Sequence, residues 1–484
     1  MFRPRQLFLV LLLTLVTAAM AQNRVVVLQG VDATTLDPHR MQAAPEGNVL
    51  AHVFDGLVIR GHDMTIQPRL ATAWRVIDDL TWEFDLRQDV TFSNGEPFDA
   101  EVVRFSLERV VAAGSADAQQ IQLDRVEVVD THTVRIHTVN PNPALLTALL
   151  VGAMVAPDHY TGLDDAQAAI QPVGTGPYVL QEWARDERIV LTPSPTHWGP
   201  EAAFDEIVWR PVPEASTRLA ELEVGQADIV ANIPPEAAGR LEALEGVDIR
   251  SVATGQRFYI GLRHDEGGPL ADPRVRQALN YAVDVDLIIE TLLGGLGAPR
   301  ASLLNEPHLD TTLEPFGYDP ERARALLAEA GYPDGFEMTL MSPSGRYTRD
   351  LEVSQAVADF IREIGVQVEF VPNEWGRYID LMLANDLRDA WLLASAPYFD
   401  GQLEYNVFMG ALEQLTWHNQ EAADLWAQLL QTVDEAGRTE IFGALQRLML
   451  EDPPVILLYR PVDLWGVASS LDWEPRADGR IFLF

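Results

Sequence analysis

Apolar and polar positions alternate along this chain in two rhythms, one of short strands and one of amphipathic helices. Val25-Val26-Val27-Leu28 is an unbroken apolar run of strand length. Residues 81–87 (TWEFDLR) alternate strictly, which sets Trp82, Phe84 and Leu86 on one face of a half-buried strand. Asn94-Gly95 marks a tight turn, and a helix begins just after it. Asp99 is its expected N-cap, Glu101 lies at the positive end of the helix dipole, and Phe98 is placed to staple onto Val103. The apolar stripe of that helix is Val103, Leu107, Val110 and Val111. Residues 126–139 read as a hairpin turning at Asp130-Thr131. From 172 to 231 strands alternate with one helix. Ile189 with Leu191 and Ile207-Val208-Trp209 fit strands, and Gly225 closes a helix bearing Leu219 and Leu222. A short strand at 227–230 follows.

The second half repeats one device for starting helices. Asp272-Pro273 and Asp319-Pro320 each supply a cap followed by a proline in the first turn, where its missing N–H costs nothing. Val275, Ala278, Leu279 and Ala282 line one face of the first helix, and the second runs to Gly331. A third helix over about 351–364 ends at Gly365 and feeds Val366, Val368 and Phe370 on alternate positions. Helices mixed with short strands, without strict βαβ regularity, predict a mixed α/β (α+β) fold with more than one sheet.

The first 21 residues obey other rules. Arg3 and Arg5, an apolar run from Leu7 to Val16, and Ala19-Met20-Ala21 form the three-part pattern of a cleavable secretory signal. The expected mature chain starts at Gln22, and no later stretch has the roughly 18 uninterrupted apolar residues of a membrane span. With 484 residues and 47% hydrophobic composition there is material for about three domains or lobes. A net charge of −37 argues against nucleic acid and anionic membranes as partners. Lysine is absent, so all 35 residues of the Lys+Arg count are arginine, which fits either a GC-rich coding sequence or adaptation to salt.

The missing chemistry narrows the function. Without cysteine there are no disulfides, thiolate zinc sites, iron–sulfur clusters, cysteine nucleophile or lipid-anchored mature N-terminus. Without lysine there is no Schiff base and no lysine-bearing phosphate loop. The ten histidines show neither HExxH nor HxH, and His132 and His137 fall on the hairpin as surface residues rather than metal ligands. There is no GxSxG elbow, and Gly174-Thr175-Gly176 runs into Pro177 instead of a helix. No catalytic residue, metal or cofactor is expected. Aromatics do cluster among polar loops late in the chain: Trp375 and Tyr378 in NEWGRYID, Tyr398, Phe399 and Asp400 in APYFDG, then Tyr405 and Trp417. Such faces hold amphipathic solutes when they do not simply close a core. Arg263, after the strand-like FYIGL, and Arg346, in PSGRYTRD, are candidates to fork onto a ligand carboxylate.

Six blocks in order then resemble one family, the extracytoplasmic solute-binding proteins of ABC importers, family 5, of the dipeptide/oligopeptide type. They are PRLATAWRVIDDLTWEFDLRQDVTFSNGEPFDAEVVRFSLERV (68–110), PVGTGPYVL (172–180), FDEIVWRPVPEASTRLAELEVGQADI (204–229), PLADPRVRQALNYAVDVDLI (269–288), YDPERARALLAEAGYPDGF (318–336) and PPVILLYRPVDLWGV (453–467). The resemblance implies a two-lobed periplasmic-binding-protein fold with a hinge and an additional N-terminal subdomain. Lobe I would comprise 22–59, 172–254 and 455–484, with 60–171 appended, and lobe II would be 255–454. It implies a small-molecule solute, an ABC permease with its ATPase subunits as partners, a periplasmic location and a monomer. Trp375, Tyr378, Tyr398, Phe399, Asp400, Arg263 and Arg346 are then the expected cleft residues. One departure stands out: where peptide-binding relatives carry W-x-x-D-Y, this chain has ASAPYFDG, with Pro397 in place of the aspartate that pairs with a peptide's ammonium. A short peptide is the first expectation, an oligosaccharide or other non-peptide solute the second, and a secreted hydrolase a remote third.

Overall fold

The strand Arg24–Gln29 lies between two parallel neighbours, Glu206–Pro211 and Ile229–Val230, and is buried on both faces, Val25 and Val27 in one core and Val26 and Leu28 in another. It is the centre of the largest sheet in the computed structural model, which describes residues 23–41, 44–395, 397–411, 413–432 and 434–484. The signal-like segment 1–21 lies outside the described residues. Across this sheet the order is Val247–Ala253, Tyr459–Ala468, Ile229–Val230, Arg24–Gln29, Glu206–Pro211, Arg188–Pro193 and Tyr178–Ala184, with Gly297–Pro299 also pairing Tyr459–Ala468. Segments far apart in sequence thus make one sheet, and the last long strand is inserted near its middle.

A second sheet runs Gln367–Glu374, Glu337–Ser344, Ala390–Ser395, Arg257–Leu262 and Val455–Leu457. The first three strands are parallel, and Arg257–Leu262 is antiparallel to both its neighbours. Helices Pro273–Ala282, Pro320–Glu329 and Asp350–Glu363 cover one face, and Val275, Ala278, Leu279, Ala323, Leu327, Val353, Val357 and Ile361 fill that core. The caps read from sequence are in place: the Asp272 side chain accepts from the Arg274 N–H at 2.9 Å, and Asp319 from the Arg322 N–H at 2.8 Å. Because Val455–Leu457 belongs to this second sheet, the chain returns to the first at Leu458–Tyr459, slightly later than the expected break at 455. The outward crossing falls between Ala253 and Arg257.

A third body has its own core. Strands Ala71–Asp78, Thr81–Leu86, Thr133–Thr138 and Leu123–Asp130 form a four-stranded antiparallel sheet under helix Ala100–Ala113. Asp99 caps that helix, accepting from Glu101 and Val102, and Gly114 ends it at φ 81°. Val103, Leu107 and Val110 are buried as the stripe predicts. On the other face of the sheet Arg75 and Arg135 close over Glu83, which is how a carboxylate 5% exposed is tolerated there. His137 sits beside Glu127, with Nε2 3.0 Å from Oε2.

The Gly174-Thr175-Gly176 motif has a packing explanation. A Cβ on Gly174 would intrude on the Val53 carbonyl oxygen, and one on Gly176 would sit 2.6 Å from the His52 oxygen. Here the loop is pressed onto the C-terminal end of helix Ala44–Val53, and the Gly176 N–H donates to Val53 O at 2.9 Å. Gly174→Ala is expected to destabilise the fold by about 1–3 kcal/mol, because backbone rather than a side-chain tip must give way. A urea midpoint equal to that of the parent would remove this explanation.

Candidate functional site at the carboxyl ends of the parallel strands

In an open sheet of parallel strands the crevice beyond their carboxyl ends is free of pairing, and ligands sit there. Strands Glu337–Ser344, Gln367–Glu374 and Ala390–Ser395 all end at one edge of the second sheet, and the antiparallel pairing of Arg257 with Ser395 brings the outward hinge crossing to the same edge. Four segments converge: 345–349, the start of helix Trp375–Leu383, 397–404 and 253–257.

Asp350 shapes the first of them. Its buried carboxylate accepts from the N–H groups of Gly345 (3.3 Å), Arg346 (2.8 Å) and Tyr347 (3.1 Å), folding the loop back on the start of helix Asp350–Glu363. The Arg346 guanidinium is thereby laid over two rings, 4.9 Å from the centroid of Tyr347 and 5.1 Å from that of Trp375. No carboxylate lies within 4.0 Å of it among the described residues. Trp375 is half-buried, stacked on Tyr378 at 6.0 Å and edge-on to Tyr347 at 6.2 Å.

The aromatics expected together from the sequence have different assignments. Tyr378 is fully buried and donates its hydroxyl to Leu392 O at 2.7 Å, so it supports Trp375 from the core rather than offering a face of its own. The Tyr398 carbonyl accepts from Arg60 Nη2 at 2.6 Å, a contact from the N-terminal part of the chain. Phe399 takes φ 51°, lies 5.5 Å from the Arg60 guanidinium, and packs so tightly on Gly255 that a Cβ there would meet its ring at 2.6 Å. Asp400 spends Oδ1 capping helix Gly401–Asn406, accepting from Gln402 N–H at 3.0 Å and Leu403 N–H at 3.2 Å.

Arg263 is not brought to this edge. It follows the carboxyl end of strand Arg257–Leu262, whose antiparallel run carries it to the opposite end of the sheet, about 20 Å away for a strand of that length. There its N–H donates to Asp389 O, and its guanidinium is held by Glu266 at 2.7 Å and Asn385 O at 3.0 Å. The arginine at the cleft end of this strand is Arg257.

Arg257 belongs to a group the sequence did not expose. Its Nη1 donates to Glu404 Oε1 at 2.6 Å, and both side chains are wholly buried. Glu404 also accepts from Asn305 N–H (2.8 Å), Asn305 Nδ2 (2.7 Å) and Phe399 N–H (3.2 Å), while Asn305 Nδ2 and Arg257 Nη1 both reach Gly255 O. One carboxylate therefore ties the hinge crossing, the loop at 305 and the Phe399 loop together. Burial pushes its pKa up, and the Arg257 charge works in the opposite direction. A further bridge joins the sheets at the surface: Arg349 Nη2 meets Glu236, on helix Pro235–Leu241 of the first sheet's layer, at 2.7 Å. Among the described residues no group of three or more His, Cys, Asp or Glu is placed to hold a metal ion, and no helix is long and apolar enough to cross a membrane.

Two sheet-centred bodies joined by two strand crossings, with aromatics and an arginine collected where they face, define the architecture of a two-lobed binding protein. Solved structures bear this out for the fold. The DppA periplasmic binding protein of Helicobacter pylori, in complex with peptide STSA, superposes with TM-score 0.84 at 22% identity, covering 95% of this chain and 96% of that one. The dipeptide-binding protein of Pseudoalteromonas sp. SM9913 with Met-Leu gives 0.84 at 23% identity, over 95% and 99%. Among sequence relatives, the glutathione-binding protein GsiB of Escherichia coli O1:K1 is 28% identical over 472 residues, 91% of this chain and 90% of that one.

The family follows from residues 65–411, which match the model of the bacterial extracellular solute-binding proteins, family 5, and the chain belongs to that family. It is a solute-binding component of an ABC transporter.

Proposed function

We propose that this chain captures a short peptide or peptide-like solute between its two lobes and hands it to an ABC permease driven by ATPase subunits. It acts in the periplasm as a monomer, after removal of 1–21, and performs no chemistry on the solute. The observation that carries the peptide assignment is the Arg346 guanidinium, held against Trp375 and Tyr347 at the strand ends with no carboxylate beside it among the described residues. A C-terminal carboxylate is the complementary group, and the half-buried Trp375 is a surface for the adjoining side chain. The names of relatives agree in kind: glutathione for GsiB, and the peptide STSA and Met-Leu for two structural neighbours. An oligosaccharide reading loses one of its stacking faces, since Tyr378 is committed to the core. Lobe I is proposed to comprise the segments of the first sheet with 60–171 appended, and lobe II the segments of the second.

Trp375→Ala and Tyr398→Ala are each expected to weaken solute binding by about tenfold, somewhat over 1 kcal/mol. Native mass spectrometry of the gently desalted protein tests the whole reading, because a closed cleft retains its solute. A co-purified peptide mass is expected. A hexose ladder, or hydrolysis of the bound molecule over hours, would overturn it.

A further inference from the structure

Resting on that reading, the geometry points to a second anion-binding element on the floor of the cleft, Arg300 with Arg460. The captured solute would then carry an acidic group in addition to the carboxylate that faces Arg346.

Arg300 follows strand Gly297–Pro299, which pairs with Tyr459–Pro461 at the return crossing, and its own N–H donates to Leu458 O at 3.1 Å. Its backbone is therefore pinned to the hinge. The residue is 8% exposed. Nε donates to Ser302 O at 3.3 Å and Nη2 to Leu304 O, while Nη1 donates to no described residue. No carboxylate lies within 4.0 Å of this guanidinium among the described residues. A buried cation met only by carbonyl dipoles is costly, and an incoming oxyanion removes the cost.

The surroundings sharpen the case. Arg460 donates Nε to Thr254 O at 2.5 Å and Nη2 to Ala253 O at 3.2 Å, so it borders the same crossing. Its carboxylate neighbour is Glu306, 3.9 Å away on a side chain that is mostly exposed. Glu404, the buried acid nearby, is already committed to Arg257 and Asn305. Burial, then repulsion from Arg257 and Arg460, pull the Arg300 pKa down to about 10, outweighing the attraction of Glu306 and Glu404. In a chain of net charge −37 these three arginines gather around two loops, 253–255 and 302–306. A planar guanidinium with a free edge suits a carboxylate, the acidic group that peptides carry.

The test is isothermal titration of the full mature protein with the matched dipeptides Ala-Glu and Ala-Gln, in the parent and in the Arg300→Gln and Arg346→Ala variants. The parent is expected to bind Ala-Glu at least tenfold more tightly than Ala-Gln. Arg300→Gln should bring that ratio to within about twofold, whereas Arg346→Ala should weaken both ligands. Equal affinities in the parent, or a ratio unchanged in Arg300→Gln, overturn the second anion element while leaving the peptide reading intact. If Arg300→Gln does not fold, the same ratio measured in Arg460→Gln decides. If neither dipeptide binds, the peptide reading fails. Citrate then decides the anion element by itself: a rise in the unfolding midpoint that Arg300→Gln or Arg460→Gln abolishes supports it, and no rise overturns it.

Discussion

Glu404→Ala is expected to lower stability by about 3–5 kcal/mol, the usual cost of leaving one member of a buried ion pair without the other. The loss reaches beyond Arg257, because the same carboxylate takes the N–H groups of Asn305 and Phe399. Urea unfolding followed by tryptophan fluorescence measures it. The double variant Arg257→Met/Glu404→Leu is expected to regain only the part due to the unpaired Arg257 charge, because the Asn305 and Phe399 N–H groups still lack their acceptor. A single variant within about 1 kcal/mol of the parent would show that Glu404 does not hold these three segments together.

The second large effect is acid lability. His52 lies wholly inside the first lobe with both ring nitrogens occupied: Nδ1 faces Asn48 O at 2.8 Å, and Nε2 accepts from the Leu483 N–H at 3.1 Å. His39 is locked in the same way, between Ala153 O at 2.8 Å and Arg109 Nη1 at 2.8 Å. Burial brings each imidazole down to about 4, against the ordinary 6.5; for His39 the Arg109 charge adds to the effect. The unfolded chain therefore takes up these protons first. The stabilisation is complete above about pH 6.5 and is lost as pH falls toward 4, at about 1.4 kcal/mol per pH unit for each histidine. Asp463 acts with the opposite sign, because burial raises it to about 6 and the folded state then binds a proton more readily between 6 and 4. Glu404 is also raised by burial and acts in the same sense. With the two histidines against Asp463 and Glu404, the net slope between pH 6 and 4 is at most about one proton, or at most about 3 kcal/mol over the window. His52→Gln is expected to flatten the profile of urea midpoint against pH by one proton; identical profiles would exclude His52 as a source of the lability.

Sequence reading succeeded where structure is local. The Asp99, Asp272 and Asp319 caps and the Val103, Leu107 and Val110 positions of the expected stripe each depend on residues within one or two helical turns, and each is in place. That Arg263 lies at the other end of the sheet was not legible, because the apolar run FYIGL gives the existence of a strand but not its direction relative to the crevice. Tyr378 and Trp375 stand three positions apart on one helix, and periodicity alone does not say which of them reaches the core. Arg257 and Glu404 are 147 positions apart, and nothing in either segment marks them as partners. Gly174 and Gly176 were visible as a motif, but their reason, the backbone of helix Ala44–Val53, lies more than a hundred residues upstream.

The position of strand Tyr459–Ala468 bears on when this protein becomes a protein. It separates Val247–Ala253 from Ile229–Val230, and in the first sheet Val247–Ala253 pairs with it alone. A chain delivered amino end first thus waits for nearly its last residues before the lobe that was begun first is complete. Until then Val247–Ala253 has no strand partner in that sheet, and Ile229–Val230 is paired on one side only, with Arg24–Gln29. The return crossing is fixed by the same strand, because Leu458 immediately precedes it.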